Sequence, residues 1–436
     1  MLKIKNMCSK KLKVPVVLLA LTFLFVSFSP LMLHAKEEKT TVRIAYNNYF
    51  KKSFGPADPP IEAIKKEVSK KYPNIEVELN VTPLALGKMH NQLVTWFMSE
   101  DSTVDILGVH PVWMAEFGEA GWLLPLEDRI DKELLDSLNQ SYLESHTYNG
   151  ELLGLGPWWG GIGGLYYRKD LLNEYGFEPP ETYSELVEIA ETILKDRPNL
   201  TGWTWPAMND QVLVNRWGEF LRGFGGEYFN EDGRCALNSD DGVEALEFMN
   251  SLIEDGITPR QVTNWKEADS QVRFINGDAI FHTGRQDLFL TLDNPEKSEV
   301  VDKWGFIPNP SQPDGASTGF YEGWAFGINR YTDVPEAATK VLEVMFSLPV
   351  QKTFALSQGP IQAHKGVYED PDVLKHNPKL DQVLEVAKTA QPPFRSPNYP
   401  QISDILREEI HASLSGLRSS EKALDDACSR IDRMTE

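Results

Sequence analysis

From residue 41 onward, apolar and polar positions alternate in two periods. TVRIA (Thr41 to Ala45) reads as a strand, and a helical repeat from about Pro60 to Lys71 ends at Tyr72-Pro73-Asn74. IEVELNV from Ile75 alternates like a half-buried strand, Leu84 to Ser99 returns to the helical period, and Val104 to Val109 is a short apolar strand. Strand, helix, strand, helix, strand in that order predicts parallel α/β packing. Further along, a helix is expected from Glu181-Thr182-Tyr183 to about Leu194, with Leu186, Ile189, Ala190 and Ile193 on one face. Another is expected over Gly242 to Asp255, where Val243, Leu246, Met249, Asn250 and Ile253 recur at helical spacing. Between them GWTWP ends a short strand, with Trp203 expected on one side and Trp205 on the other. GWAFGIN, within Ser317 to Asn329, reads as a strand, and the tail from Ser403 as helix whose charges form a solvated face.

Open α/β sheets collect ligands beyond the carboxyl ends of their strands, where loops diverge and helix amino termini point inward. The loops in that position are Asn47-Asn48-Tyr49 and His110-Pro111-Val112-Trp113. PWWGGIGGLYYRKD (157 to 170) adds two adjacent tryptophans on a backbone poor in side chains. Read alone, it is an apolar strand preceded by a loop, with one of Tyr166 and Tyr167 in the core and the other at the surface.

The first 35 residues stand apart. Five lysines, Lys3 to Lys13, precede an apolar run from Val14 to Phe28, Pro30 breaks it, and Leu33-His34-Ala35 offers a cleavage site. The run is shorter than the ~20 residues a membrane span needs, so an export signal is expected over 1–35. Cys8 precedes the run and no cysteine follows near the cut, so no lipid anchor is expected and the exported chain should be soluble, periplasmic or extracellular. Cys235 and Cys428 remain, too few for a disulfide-built scaffold or a thiolate metal site; they either pair after export or stay buried as small apolar residues.

Losing the five leader lysines moves the formal charge from −21 to −26, which disfavours nucleic acid and anionic membrane as partners. About 400 residues, at roughly 100 to 200 per domain, suggest two domains or more. No Ser/His/Asp spacing, HExxH, phosphate-cradling glycine loop or Cys/His metal pattern points to catalysis, a metal or a cofactor.

Nine segments, in order, resemble the extracellular solute-binding proteins of ABC importers, family 1, nearest the trehalose and maltose binders. They are KKYPNIEVEL (70–79), EAGWLLPLED (119–128), YNGELLGL (148–155), GLYYRKDLLNEYGFEPPETYSEL (164–186), GVEALEFMNSLIEDG (242–256), FINGDAIF (274–281), EGWAFGIN (322–329), NYPQISDIL (398–406) and SEKAL (420–424). The resemblance implies a type II periplasmic-binding-protein clamshell: two α/β lobes, each a mainly parallel sheet flanked by helices, joined by three crossings with a sugar between them. The crossings fall near 155–161, 322–329 and 388–396; one lobe takes 36–157 plus 328–389, the other 158–327 plus 390–436. The implied partners are a sugar and the importer's membrane permease, with the chain a monomer.

On that frame Trp158 and Trp159 sit at the first crossing, where glycines tolerate changing backbone angles and close approach, and an indole can stack on a pyranose. Trp324 matches a sugar-facing tryptophan, and Asn47, Trp113 and Trp205 complete the expected aromatic and polar lining. Five departures bear on the ligand. His110 stands where the nearest relatives carry a ligand acid, and Gly160-Gly161 where they carry another. Arg285 and Asp287 replace expected aromatics, and Glu322 replaces a glycine. The arginine expected near the third crossing is displaced to Arg395. If Arg285 and Arg395 face the cleft uncompensated, an acidic sugar is expected; if Asp287 or Glu322 neutralises Arg285, a neutral one. The competing readings are a secreted carbohydrate-active enzyme and a clamshell carrying iron chelates, polyamines or amino acids. Eleven tryptophans favour a ring-shaped ligand.

Overall fold

The computed structural model describes residues 39–47, 59–82, 86–359 and 361–435. The expected export signal over 1–35 and the loop residues Asn48 and Tyr49 lie outside them. β1 (Thr40–Asn47) lies between β2 (Ile75–Thr82) and β3 (Ile106–Val109), parallel to both. Helices Pro59–Lys71 and Leu86–Met98 make the crossovers, each burying one stripe: Ile61, Ile64 and Val68 in the first, Met89, Leu93 and Phe97 in the second. Parallel neighbours require such crossovers, and the apolar stripes are what hold them on the sheet.

Five more strands complete the sheet: β4 (Leu155–Arg168), β5 (Thr201–Thr204), β6 (Ala279–Arg285), β7 (Trp304–Ile307) and β8 (Tyr321–Ile328). The order is β2-β1-β3-β8-β4-β6-β5, with β7 also paired to β4. β8 runs antiparallel to β3 and to β4, and β4 runs antiparallel to β6 and β7; of the later pairings only β5 with β6 is parallel. Mainly parallel pairing thus describes β1 to β3 and not the second half. β4 keeps the direction of β1 to β3 as it passes into the second half, where β5 and β6 run the other way.

Three passes of chain lie side by side where the halves meet. β4 pairs with β8 from Leu155 to Ile162, and Gln391 docks beside β8, accepting from the Tyr321 amide at 2.9 Å and donating its own amide to the Gly319 carbonyl at 2.9 Å. The helix Leu380–Ala387 packs Leu380, Val383 and Val386 against Trp304 and Phe306 of the second half. The helix Tyr183–Asp196 begins at Thr182 with a reciprocal cap: Thr182 Oγ1 accepts from the Glu185 amide and Glu185 accepts from the Thr182 amide.

One open alternative is resolved here and one expectation changes. Cys235 and Cys428 form a disulfide, tying the loop before the helix Asp240–Glu254 to the last helix, Ser420–Thr435. The charges of the tail are not all a solvated face: Glu409 is buried and takes both Arg418 and Arg430, because a carboxylate removed from water needs cations around it.

Candidate functional site

The paired strands β4 and β8 present two faces. Side chains alternate along a strand, so Tyr321 and its register partner Ile162 point one way, while Trp324 and the Gly161 position point the other. Each face borders a cavity. On the Trp324 side is a cleft of about 420 Å³ lined by Leu86, His90, Trp113, Gln211, Tyr399 and Arg407. On the Tyr321 side is a larger one of about 650 Å³, lined by Tyr142, Ile162, Tyr321, Tyr368, Gln391 and Arg395.

The front cleft is built where β3 ends. His110 caps the 3-10 turn Pro111–Trp113, its Nδ1 accepting from the Val112 amide at 3.4 Å. Its ring meets Trp324 edge-on at 5.1 Å, and Trp113 meets Trp324 edge-on at 5.8 Å. Edge-to-face packing aims the positive edge of one ring at the π face of another, so three sequence-distant candidates form one aromatic corner. The near wall continues through His90, whose Nε2 lies 2.6 Å from Glu116 Oε2. The far wall is polar. Gln211 Nε2 donates to the Tyr399 hydroxyl at 2.7 Å, and Gln211 Oε1 accepts from Ser403 Oγ at 2.7 Å.

At the second-half end of the crossing, Arg285 closes β6. Its Nη2 lies 3.3 Å from Asp287 Oδ2, and its stem lies against Gly161: a Cβ there would stand 2.7 Å from Arg285 Cδ. Gly163 is equally tight, because a Cβ there would stand 2.5 Å from Glu219 Oε1. Neither glycine has φ in the left-handed region, so both serve close approach by neighbouring side chains and not unusual backbone angles. Glu219 pairs with Arg216 at 2.7 Å and accepts the Phe320 amide at 2.9 Å. Burial outweighs the guanidinium and raises the Glu219 carboxyl to about 7.

Of the candidate residues, His110, Trp113 and Trp324 come together, and Arg285 and Asp287 pair beside Gly161. The register sets Trp159 across from Trp324 and Glu322 across from Gly161; the side chains of Asn47, Trp158, Trp159 and Glu322 lie outside the described set. Two expectations are corrected. Trp205 is fully buried, its Nε1 donating to Thr258 Oγ1 at 3.2 Å, with Phe220 against its ring. Trp203 is buried against Phe220 as well; residues two apart on an extended chain share a face, so neither tryptophan points outward. Arg395 lies at the rear, donating to the carbonyls of Glu144 at 2.8 Å and Thr147 at 3.2 Å. It satisfies carbonyls at the end of the helix Gln140–Ser145, where a cation is favoured.

Sequence reasoning missed Gln211 and Tyr399. Tyr399 lies inside NYPQISDIL, noted only as a matching segment, and Gln211 opens the helix Gln211–Gly223 behind its cap Asp210. Among the described residues no cluster of His, Cys, Asp and Glu could hold a metal ion, and no helix is long and apolar enough to cross a membrane.

A cleft between two walls carried by separate stretches of chain, lined with aromatic rings and hydroxyl-binding groups, is a binding geometry, and comparison with known proteins agrees. The model of the family of bacterial extracellular solute-binding proteins matches residues 55–352. The chain belongs to that family. A maltose-bound T. maritima MalE3 is 30% identical with a TM-score of 0.78, over 90% of this chain and 99% of that one. A multiple sugar-binding protein of Streptococcus mutans is 25% identical over 350 residues, 77% of this chain and 78% of its own. A probable ABC transporter-binding protein of Deinococcus radiodurans is 26% identical over 323 residues, 72% of this chain and 76% of its own. The fold is the type II clamshell of these binding proteins, and the family binds solutes rather than transforming them.

Proposed function

We propose that this solute-binding protein is the exported, monomeric capture component of an ABC importer, holding a neutral sugar or polyol in the front cleft and delivering it to a membrane permease. The observation that carries the reading is the front cleft itself: Trp113, backed by His110 and Trp324, lies across from a polar wall of Gln211, Tyr399 and Ser403. Rings grip the C–H face of a sugar, and amide and hydroxyl groups grip its hydroxyls. The maltose-bound MalE3 and the multiple sugar-binding protein support the same ligand class. A neutral ligand is supported by the pairing of Arg285 with Asp287 and by Arg395, which is spent on carbonyls at the rear.

The lobes we assign are 36–157 plus 328–389 and 158–327 plus 390–436, with the helix Leu380–Ala387 lying on the second lobe's strands. The crossings are β4, β8 and the chain around Gln391. Ligand favours the closed form because only there do both walls touch it. Thermal melting against a panel of neutral and acidic mono- and oligosaccharides tests this. A ligand at 100 times its Kd should add about 2.7 kcal/mol to stability, with a smaller radius of gyration in solution scattering. No shift with any sugar, and an unchanged profile, would reject the reading.

A further inference from the structure

The polar wall of the front cleft is backed by a run of aromatic rings that reaches it from the disulfide. Gln211 and Tyr399 both line the cleft. The Gln211 carboxamide is held at three points: Nε2 donates to the Tyr399 hydroxyl at 2.7 Å and to Asn215 Oδ1 at 3.3 Å, and Oε1 accepts from Ser403 Oγ at 2.7 Å. Behind Tyr399 lies Phe394, in the third crossing, with ring centroids 4.6 Å apart. Behind Phe394 lie Tyr228 at 4.6 Å and Phe229 at 5.7 Å. These two open the loop 228–236, in which Phe229 bridges to Cys235 and the Ala236 amide donates to the Tyr228 carbonyl at 3.0 Å. Cys235 is bonded in turn to Cys428 of the last helix, and its amide donates to Asp432 Oδ1 at 2.9 Å. Arg222 closes the other side, donating to the Pro392 carbonyl at 3.2 Å with its guanidinium 5.7 Å from the Tyr228 ring centre. The seam holds a cavity of only about 20 Å³, and a close-packed run of this kind transmits a displacement from one end to the other.

We propose that Phe394 is a positioning residue of the sugar site: held by the disulfide-pinned loop 228–236, it fixes the Tyr399 ring and, through the Tyr399 hydroxyl, the orientation in which Gln211 meets the ligand. This rests on the sugar-binding reading of the same cleft. Phe394 lies outside the lining of that cleft, so its effect on binding comes by way of Tyr399. A long amide side chain that is free to turn loses rotamer freedom when a ligand fixes it, which costs a factor of about two to ten in affinity. One that is fixed beforehand avoids that loss. Without the disulfide the loop loses its covalent tie to the last helix, and the packing of Tyr228 and Phe229 on Phe394 loosens.

The test is a double-mutant cycle, read by calorimetric titration of the exported chain with whichever of maltose, trehalose, glucose and mannitol raises its melting temperature most. Phe394→Leu keeps an apolar side chain and should weaken binding about fivefold. Tyr399→Phe keeps the ring and removes the hydroxyl. In the Tyr399→Phe background, Phe394→Leu should weaken binding by less than about twofold, because the hydroxyl it would displace is gone. The melting temperature should fall with Phe394→Leu in both backgrounds alike, so a loss of stability does not reproduce this pattern. A protein carrying Cys235→Ser and Cys428→Ser, titrated below its melting transition, should bind about threefold more weakly and lose less than about twofold more when Phe394→Leu is added. Wild-type affinity in Phe394→Leu, or the same loss in both backgrounds, would overturn the inference while leaving sugar binding intact, as would full affinity in the protein without the disulfide. Binding of none of the four compounds by the wild type would instead overturn the sugar-binding reading, and this inference with it.

Discussion

The front and rear of the β4–β8 pair border cavities of about 420 and 650 Å³ that differ in what lines them. At the rear, Tyr142 and Tyr321 stack on each other with ring centroids 5.0 Å apart, Tyr368 donates to the Gln362 carbonyl, and Arg395 is bonded to two carbonyls. Arg395 braces the end of the helix Gln140–Ser145, while the Tyr321 hydroxyl is buried without a hydrogen-bond partner. At the front, rings meet edge-on, and Gln211, Tyr399 and Ser403 form the facing wall. A cleft with a ring on one wall and amide and hydroxyl groups on the other suits a sugar, whereas stacked tyrosines and a guanidinium spent on main-chain carbonyls brace the fold. Cavity volume alone would have chosen the rear.

The strongest way to break that contrast is at Trp324. Trp324→Ala removes a ring packed on His110 and Trp113 and should cost about 3–5 kcal/mol of stability as well as ligand binding. Trp324→Phe keeps an aromatic contact and should lower affinity by about 1–2 kcal/mol with a smaller stability loss. Denaturant unfolding and calorimetry on both variants separate packing from binding. Unchanged affinity in both would remove Trp324 from the site.

Acid should act next most strongly, through His146, which is buried between Tyr142 and Gly323 beside the crossing. Its Nδ1 lies 2.7 Å from the Tyr142 carbonyl and its Nε2 lies 3.3 Å from that of Gly323. Burial holds the imidazole down at about 4 despite those two carbonyls, with Arg395 and His110 adding like charge. Between about 4 and 6.5 the unfolded chain binds more protons than the folded one, so stability rises with pH across that window and is lost as pH falls. The shift corresponds to a few kcal/mol. Glu219, raised to about 7, contributes the opposite slope between 4.5 and 7. His146→Gln should flatten the acid limb of a stability-against-pH curve below 6, and an unaltered limb would place the sensitivity elsewhere.

Much of the fold was legible in the chain because it is set locally. The helix Pro59–Lys71, the helix Asp240–Glu254 and the strand from Ile75 lie within about two residues of where periodicity puts them. Trp324 and Arg285 stand out in the sequence as a match and a departure at the crossings that the resemblance implies. Trp205 failed because a tryptophan near a strand end was counted as lining, although the two-residue period groups it with Trp203 under the helix Gln211–Gly223. Arg395 failed because sequence places it at the third crossing but does not say on which face. Gln211 and Tyr399 were missed because their partnership joins residues 188 positions apart, a tertiary fact with no local signal.

The smallest effects should come from the rear. Tyr142→Ala loses the stack on Tyr321 and should cost stability by more than the 0.5–1.5 kcal/mol such ring pairs add beyond area burial, with ligand affinity changing by less than about twofold. Arg395→Ala should cost about 1 kcal/mol or less and leave the preference between neutral and acidic sugars untouched. A tenfold loss of affinity in either variant would show that the two faces are energetically joined.

Hydrogen exchange on the exported chain, with and without a saturating neutral sugar, tests most directly whether the ligand occupies the front. Protection is expected to rise over 110–116, 210–215 and 399–407, the segments that wall the front cleft, and to stay unchanged over 140–146 and 365–369. Protection confined to the rear segments, with the front cleft exchanging as it does without sugar, would contradict the account.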